Sequence, residues 1–369
     1  MPRQRKIKHY SYASLNRRRK RGKIIKIFLF LLLLAALIFL GYCVAESIGK
    51  LSENRESSQQ EESSWIAESS TLSNPESSEE SSEENLSSSE SEVQAEQIRA
   101  ILVPNIQTLE TFLPTVDPEV YNTVVLDLKN STGNLAYRSE VPLATSCGAV
   151  STDAISLEEL AAAADSIRAA GFVPAARIYT LQDDLASHAT YGTSYLYENQ
   201  TGITWLDQAA DKGGRSWLNP YMTATQEYLD AIVEEIAQAG FERIFAAGMQ
   251  YPDTRYPQQM GYGPNQSSMT LTEALQVTLN GMESATAAHD STIIPIYMAE
   301  GYLGENDALY GGSPDQIQSE EAAPILPEGQ ENAVLQAIQT SKDLLIPVIT
   351  SSQISLLEQN QISQYFVLS

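Results

Sequence analysis

The chain has 369 residues, 23 basic and 47 acidic side chains, a formal net charge of -24, two cysteines and three histidines. Two cysteines exclude a disulfide-stapled scaffold and a cysteine-rich zinc module, and His9, His188 and His289 are too scattered to suggest a metal centre. The acidity argues against nucleic acid as a partner, because phosphates would be repelled.

The charge is unevenly spread. Residues 1–26 carry eleven Lys/Arg and no acid, which leaves a balance of -35 on the rest. The next nineteen residues, Ile27 to Ala45, contain no charge. As a helix they would span about 28 Å, the thickness of a bilayer's hydrocarbon core. The basic cluster before them predicts a cytoplasmic N-terminus and an extracytoplasmic remainder. Residues 1–26 then form a cytoplasmic tail and 27–45 an uncleaved single-pass anchor. A cleaved signal peptide competes with this, since Cys43 and Ala45 are small residues near a plausible cleavage point. Residues 46–96 are rich in Ser and Glu and cannot bury enough apolar surface to fold. They read as a disordered tether of roughly 40 Å or more.

From Gln97 to Ser369 apolar, strand-like runs recur: 100–104, 123–128, 172–179, 243–249, 292–298, 322–326, 344–350 and 365–369. Helical patterns stand between them, at Leu157 to Ala170, Thr225 to Ala239, Leu271 to Ala288 and Ala333 to Thr340. Gly171 and Gly240 sit where C-terminal caps belong. The alternation predicts an α/β fold, a (β/α)8 TIM barrel over 97–369, with a doubly wound open sheet as the alternative. No Gly-x-Gly-x-x-Gly follows the first strand, so no dinucleotide site is expected, and no metal or other cofactor.

In a barrel, function gathers at the carboxyl ends of the strands. Strand alternation puts Val125, Asp127 and Lys129 on one face, and Ala175, Arg177 and Tyr179 on one face of the next strand. Asp127 and Arg177 form a natural pair at the mouth, either binding a polar ligand or closing the barrel end. Nine Tyr and Trp residues crowd 191–262, among them Tyr191, Tyr197, Trp217, Tyr221, Tyr251 and Tyr262. Such rings stack on sugar faces or fill space above a barrel.

The runs VVLDLKNSTGNLAYRSEVPLA, AGFVPAARIYTLQDDLA, WLNPYMTATQEYLDAIVEEIAQAGFERI and MQYP resemble a bacterial glycoside-hydrolase-like domain family, formerly a domain of unknown function. The likeness runs clearly from Arg99 to Pro252 and faintly beyond. It implies a TIM barrel distantly related to alpha-amylase-type glycosidases. It also marks Asp127, Lys129, Arg177, Asp183, Trp217, Asn219, Tyr221, Gln250 and Tyr251 as ligand-binding candidates. Two departures stand out. The family's fourth strand usually ends Phe-Asp-Tyr-Val-Arg-Phe-Pro, whereas here Ala247 replaces the aspartate and Gln250 the arginine. At the end of the fifth strand Met298 stands where a second aspartate is expected.

Glycoside hydrolysis needs two flanking carboxylates, and neither alanine nor methionine supplies one. Glu300, two residues past Met298, is the candidate catalytic rescue. Three readings follow: a degenerate barrel that binds a cell-wall or capsule glycan, an active glycosidase using Glu300 and a rim aspartate, or a scaffold for another envelope protein.

Overall fold

The structure, a computed structural model, describes residues 97–368 except 104, 199, 201, 305, 306 and 340–343. The basic head, the 27–45 span and the 46–96 tether lie outside the described residues. Among the described residues, no helix is long and apolar enough to cross a membrane.

The eight expected strand runs all form strands: β1 Arg99–Val103, β2 Thr123–Lys129, β3 Val173–Tyr179, β4 Arg243–Ala247, β5 Thr292–Tyr297, β6 Glu321–Pro324, the split β7 at Leu344–Leu345 and Val348–Thr350, and β8 Tyr365–Leu368. Their order is β6-β5-β4-β3-β2-β1-β8, all parallel, with the two pieces of β7 on the outer edges. The first piece pairs with β6 and the second with β8. Between them the Ile346 amide donates to the Ala322 carbonyl at 2.8 Å, and Leu326 donates to Val348 at 2.9 Å. A parallel bridge from Ile325 to Val348 completes the seam. The sheet therefore closes on itself as a TIM-type barrel, and the open doubly wound alternative is excluded.

Alternation along these strands makes two cores. Ala100, Leu102, Val125, Ala175, Phe245, Ile294, Ile296, Ala323, Val348 and Phe366 fill the barrel. The opposite faces, with Val124, Leu126, Ala176, Ile178, Ile244 and Ile293, pack against the helices. Phe245 and Phe366 meet across the interior with ring centroids 4.5 Å apart, so the barrel is a filled core and its usable surface lies at its ends.

Four longer helices surround it: α1 Leu157–Ala169, α2 Thr223–Gln238, α3 Leu271–Thr286 and α4 Glu331–Gln339. α1 starts at a capping box between Ser156 and Glu159, and α3 at one between Thr270 and Glu273. Each box satisfies amides that would otherwise be left open at the first turn. Gly171 and Gly240 follow α1 and α2 with φ of 88° and 93°, a left-handed conformation glycine adopts freely.

Candidate active site at the barrel mouth

Because all the barrel strands run parallel, their carboxyl ends share one face. Asp127 and Arg177 stand there, two residues beyond the inner-core Val125 and Ala175, and are direct neighbours in the sheet. Arg177 grips the carboxylate bidentately, Nε to Oδ1 at 3.0 Å and Nη2 to Oδ2 at 2.6 Å. The side chains keep 14% and 18% of their surface exposed. The Arg177 guanidinium carbon is 5.8 Å from the Tyr179 ring centroid. This fork-to-fork geometry fixes both groups in plane, as the strand pattern predicted. It leaves both Asp127 carboxylate oxygens engaged by Arg177.

Ala247 ends β4 beside Tyr179 and lies in the inner core. Its methyl group therefore faces the mouth at the position where the resemblance calls for an aspartate. Gln250 lies just past it. Its Oε1 accepts the Tyr310 hydroxyl at 3.2 Å, and that hydroxyl accepts the Met298 amide at 2.8 Å. A buried tyrosine thus ties the ends of β4 and β5 together beside the two substituted positions. Tyr310 carried no sequence signal, since nothing in its local pattern distinguishes it from a packing ring.

Glu300 falls in the short helix Ala299–Tyr302. β5 ends at Tyr297, so strand alternation from Met298 does not set the direction of this residue. Its side chain lies outside the described residues.

Lys129 departs from the expected face. The register of β2 against β3 slips between Asp127 and Lys129, and this bulge turns Lys129 away from the mouth. Its ammonium lies 2.8 Å from Asp183 Oδ2, with both side chains 0% exposed, and donates to the Tyr179 carbonyl at 2.6 Å. Asp183 Oδ1 also caps the helix Asp184–Ala189 by accepting the Ala186 amide at 2.8 Å, and Tyr228 donates to Oδ2 at 3.2 Å. A Cβ at Gly133 would lie 2.1 Å from Asp183 Oδ1, so only glycine admits this lock. The pair joins the ends of β2 and β3 to α2 and has no surface left for a ligand.

The remaining candidates brace the loops after β3 and β4. Trp217 Nε1 donates to Asp207 at 3.1 Å. Asn219 donates to the Tyr262 carbonyl at 3.0 Å and accepts the Tyr221 amide at 3.1 Å. Tyr221 and Tyr251 donate to the carbonyls of Met269 and Leu271 at 3.2 and 2.8 Å. All four side chains are buried. Tyr262 sits among Tyr195, Tyr221 and Tyr251 in edge-on contacts of 5.5–5.9 Å. Burial pushes the Tyr262 hydroxyl up to about 12 and also raises those of Tyr195 and Tyr251. These phenols stay protonated at neutral pH.

One constellation superficially resembles hydrolase machinery. Ser216 Oγ is 2.6 Å and Asp184 Oδ1 3.1 Å from His188. Both, however, meet the same ring nitrogen, Nδ1, and Ser216 is buried. A triad needs serine and carboxylate on opposite nitrogens, so this is a loop brace. Among the described residues, no group of three or more His, Cys, Asp or Glu side chains could hold a metal ion.

A closed parallel barrel with a charged pair at the carboxyl ends of β2 and β3 belongs to the TIM-barrel class. Residues 96–296, more than half of the chain, match the family model DUF4015, described as a putative glycosyl hydrolase domain, and the chain belongs to that family. No curated protein matches it. Among solved structures, the glycoside hydrolase domain of PgaB (BpsB) from Bordetella bronchiseptica aligns with a TM-score of 0.52 at 12% identity, covering 74% of this chain and 93% of that one. A hypothetical protein from Ruminiclostridium thermocellum aligns at 0.42 and 18% identity, over 50% of this chain and 91% of that one. A GH20 exo-beta-N-acetylglucosaminidase from Vibrio harveyi aligns at 0.46 and 13% identity, and this chain spans only 41% of it against 68% of its own length. At such identities the PgaB likeness speaks for the fold alone.

Proposed function

We propose that this protein is a membrane-tethered, extracytoplasmic glycosidase-like barrel that holds a cell-wall or capsule glycan without cutting it. The observation that carries the reading is Ala247, a methyl group in the inner-facing position at the end of β4 where the family resemblance implies an aspartate. The carboxylate that does stand at the described mouth, Asp127, is gripped bidentately by Arg177. Two-carboxylate hydrolysis requires acids roughly 5–10 Å apart, one of them protonated. The charged pair and Tyr179 still offer a planar polar surface and a ring to a polyhydroxylated ligand. The apolar span at 27–45 and the acidic tether support placement outside the membrane, within reach of a wall.

The test uses the purified full chain and a wall or capsule preparation. Co-sedimentation with the polymer and no release of reducing sugar is the expected result. Sugar release that Glu300→Gln abolishes would replace this reading with the active-glycosidase one. Failure to co-sediment, with a single protein captured instead, would favour the envelope scaffold. Protease added to intact cells should remove the 97–369 domain if it lies outside the membrane.

A further inference from the structure

The loops after β3 and β4 carry a groove lined by residues other than Asp127 and Arg177. Leu196–Tyr197 pairs antiparallel with Met260–Gly261, joining the loops after β3 and β4 in a small two-stranded ribbon. Beside it runs an open groove of about 360 Å³, bordered by Tyr191, Tyr197, Tyr262, Met222, Glu198 and Gln266. It shares no residue with the Asp127–Arg177 mouth. Tyr191 is 58% exposed, an unusual state for so large a ring. Tyr262 is held from behind by three buried tyrosines, so this wall is rigid. Ser194 also borders the groove, with its Oγ sealed beneath the surface. Gly263, at φ 86°, keeps the floor open, because a Cβ there would press on Met222 Sδ at 3.2 Å.

We infer that this groove is a second saccharide site, separate from the mouth, that takes a neutral pyranose chain. The inference rests on the glycan-holding reading above. Tyrosine rings on the walls suit the C–H faces of sugars, while Glu198, Gln200 and Gln266 suit their hydroxyl groups. The volume falls in the range of about 300–1,000 Å³ usual for small-ligand sites. Two sites on one rigid domain would hold a long polymer at two points and raise its retention through effective concentration.

Calorimetric titration of the full chain in detergent, with cellotetraose, chitotetraose and maltotetraose as probes, tests this. At least one tetrasaccharide should bind. Tyr191→Ala, an exposed change that leaves packing intact, should weaken it several-fold, and Tyr191→Ala with Tyr197→Ala by about tenfold or more. Tyr256→Ala, a change at an exposed ring outside the groove lining, should leave this affinity unchanged. If Arg177→Ala at the mouth abolishes binding while the groove tyrosine variants bind normally, the groove proposal falls and the mouth reading stands. If no probe gives heat at millimolar concentration, the groove proposal falls as well, and the mouth is judged by wall co-sedimentation alone.

Discussion

Buried charge in this barrel is arranged as closed pairs, and each pair predicts its own cost. Lys129→Met removes the cation that faces the Asp183 carboxyl in a site with no exposure. Losing one partner of such a pair typically costs about 3–5 kcal/mol, so chemical denaturation should show a loss of that order. Asp127→Asn at the more exposed mouth should cost less, about 1–2 kcal/mol. Asp230 behaves differently. Burial raises its carboxyl from 3.8 to about 6, with Glu227 adding to the shift, and its Oδ1 has no partner among the described residues. A raised carboxyl binds its proton more tightly in the folded state, so its stability is full below the unfolded value and is lost as pH rises through about 6. Asp230→Asn should therefore stabilise the protein at neutral pH by about 1 kcal/mol, allowing for partial solvent screening. The gain should vanish in thermal melts below about pH 4.

Between elements, α2 and α3 meet where that same carboxyl faces Gly281. A Cβ at Gly281 would lie 2.7 Å from Asp230 Oδ1, so the helix interior accepts a residue of poor helix propensity to make room for the acid. Gly281→Ala should destabilise by about 1–2 kcal/mol despite the better propensity. In an Asp230→Ala background the same change should be neutral or stabilising, and a double-mutant cycle of melting curves measures the coupling. The loop after β2 is held in a related way. Glu235 on α2 accepts Ser139 Oγ at 2.6 Å, the Glu140 amide at 2.7 Å and the Tyr137 hydroxyl at 3.1 Å. One helix side chain thus fixes a segment that strand and helix patterning leave open.

Across the barrel domain, eight parallel strands point their carboxyl ends at one face, while residues 97–369 carry 33 acidic and 10 basic side chains, a net -23. Such a surface repels polyanions over a distance of about a Debye length. Wall co-sedimentation should therefore favour neutral glycans. Binding to an anionic polymer should be weak at low ionic strength and rise as salt is added. A glycan contact dominated by charge attraction would show the opposite slope.

The order of strands and helices was legible from the sequence because each strand is apolar on both faces and each gap carries a helical stripe; all eight barrel strands fall where the apolar runs lie. Asp127 opposite Arg177 was legible for the same reason, since a period of two carries a face along a strand. Lys129 was not, because a single bulge reverses the face and leaves no mark in the local pattern. Trp217, Asn219, Tyr221 and Tyr251 were visible as a motif, but whether each meets solvent or braces a loop depends on long-range hydrogen bonds to Asp207, Tyr262, Met269 and Leu271. The sequence alone determined the barrel's order of strands and helices and left an alanine, Ala247, at the end of β4. Tertiary packing decided which polar groups were sealed against one another and which rings stayed exposed, because burial depends on distant chain segments that local periodicity cannot encode.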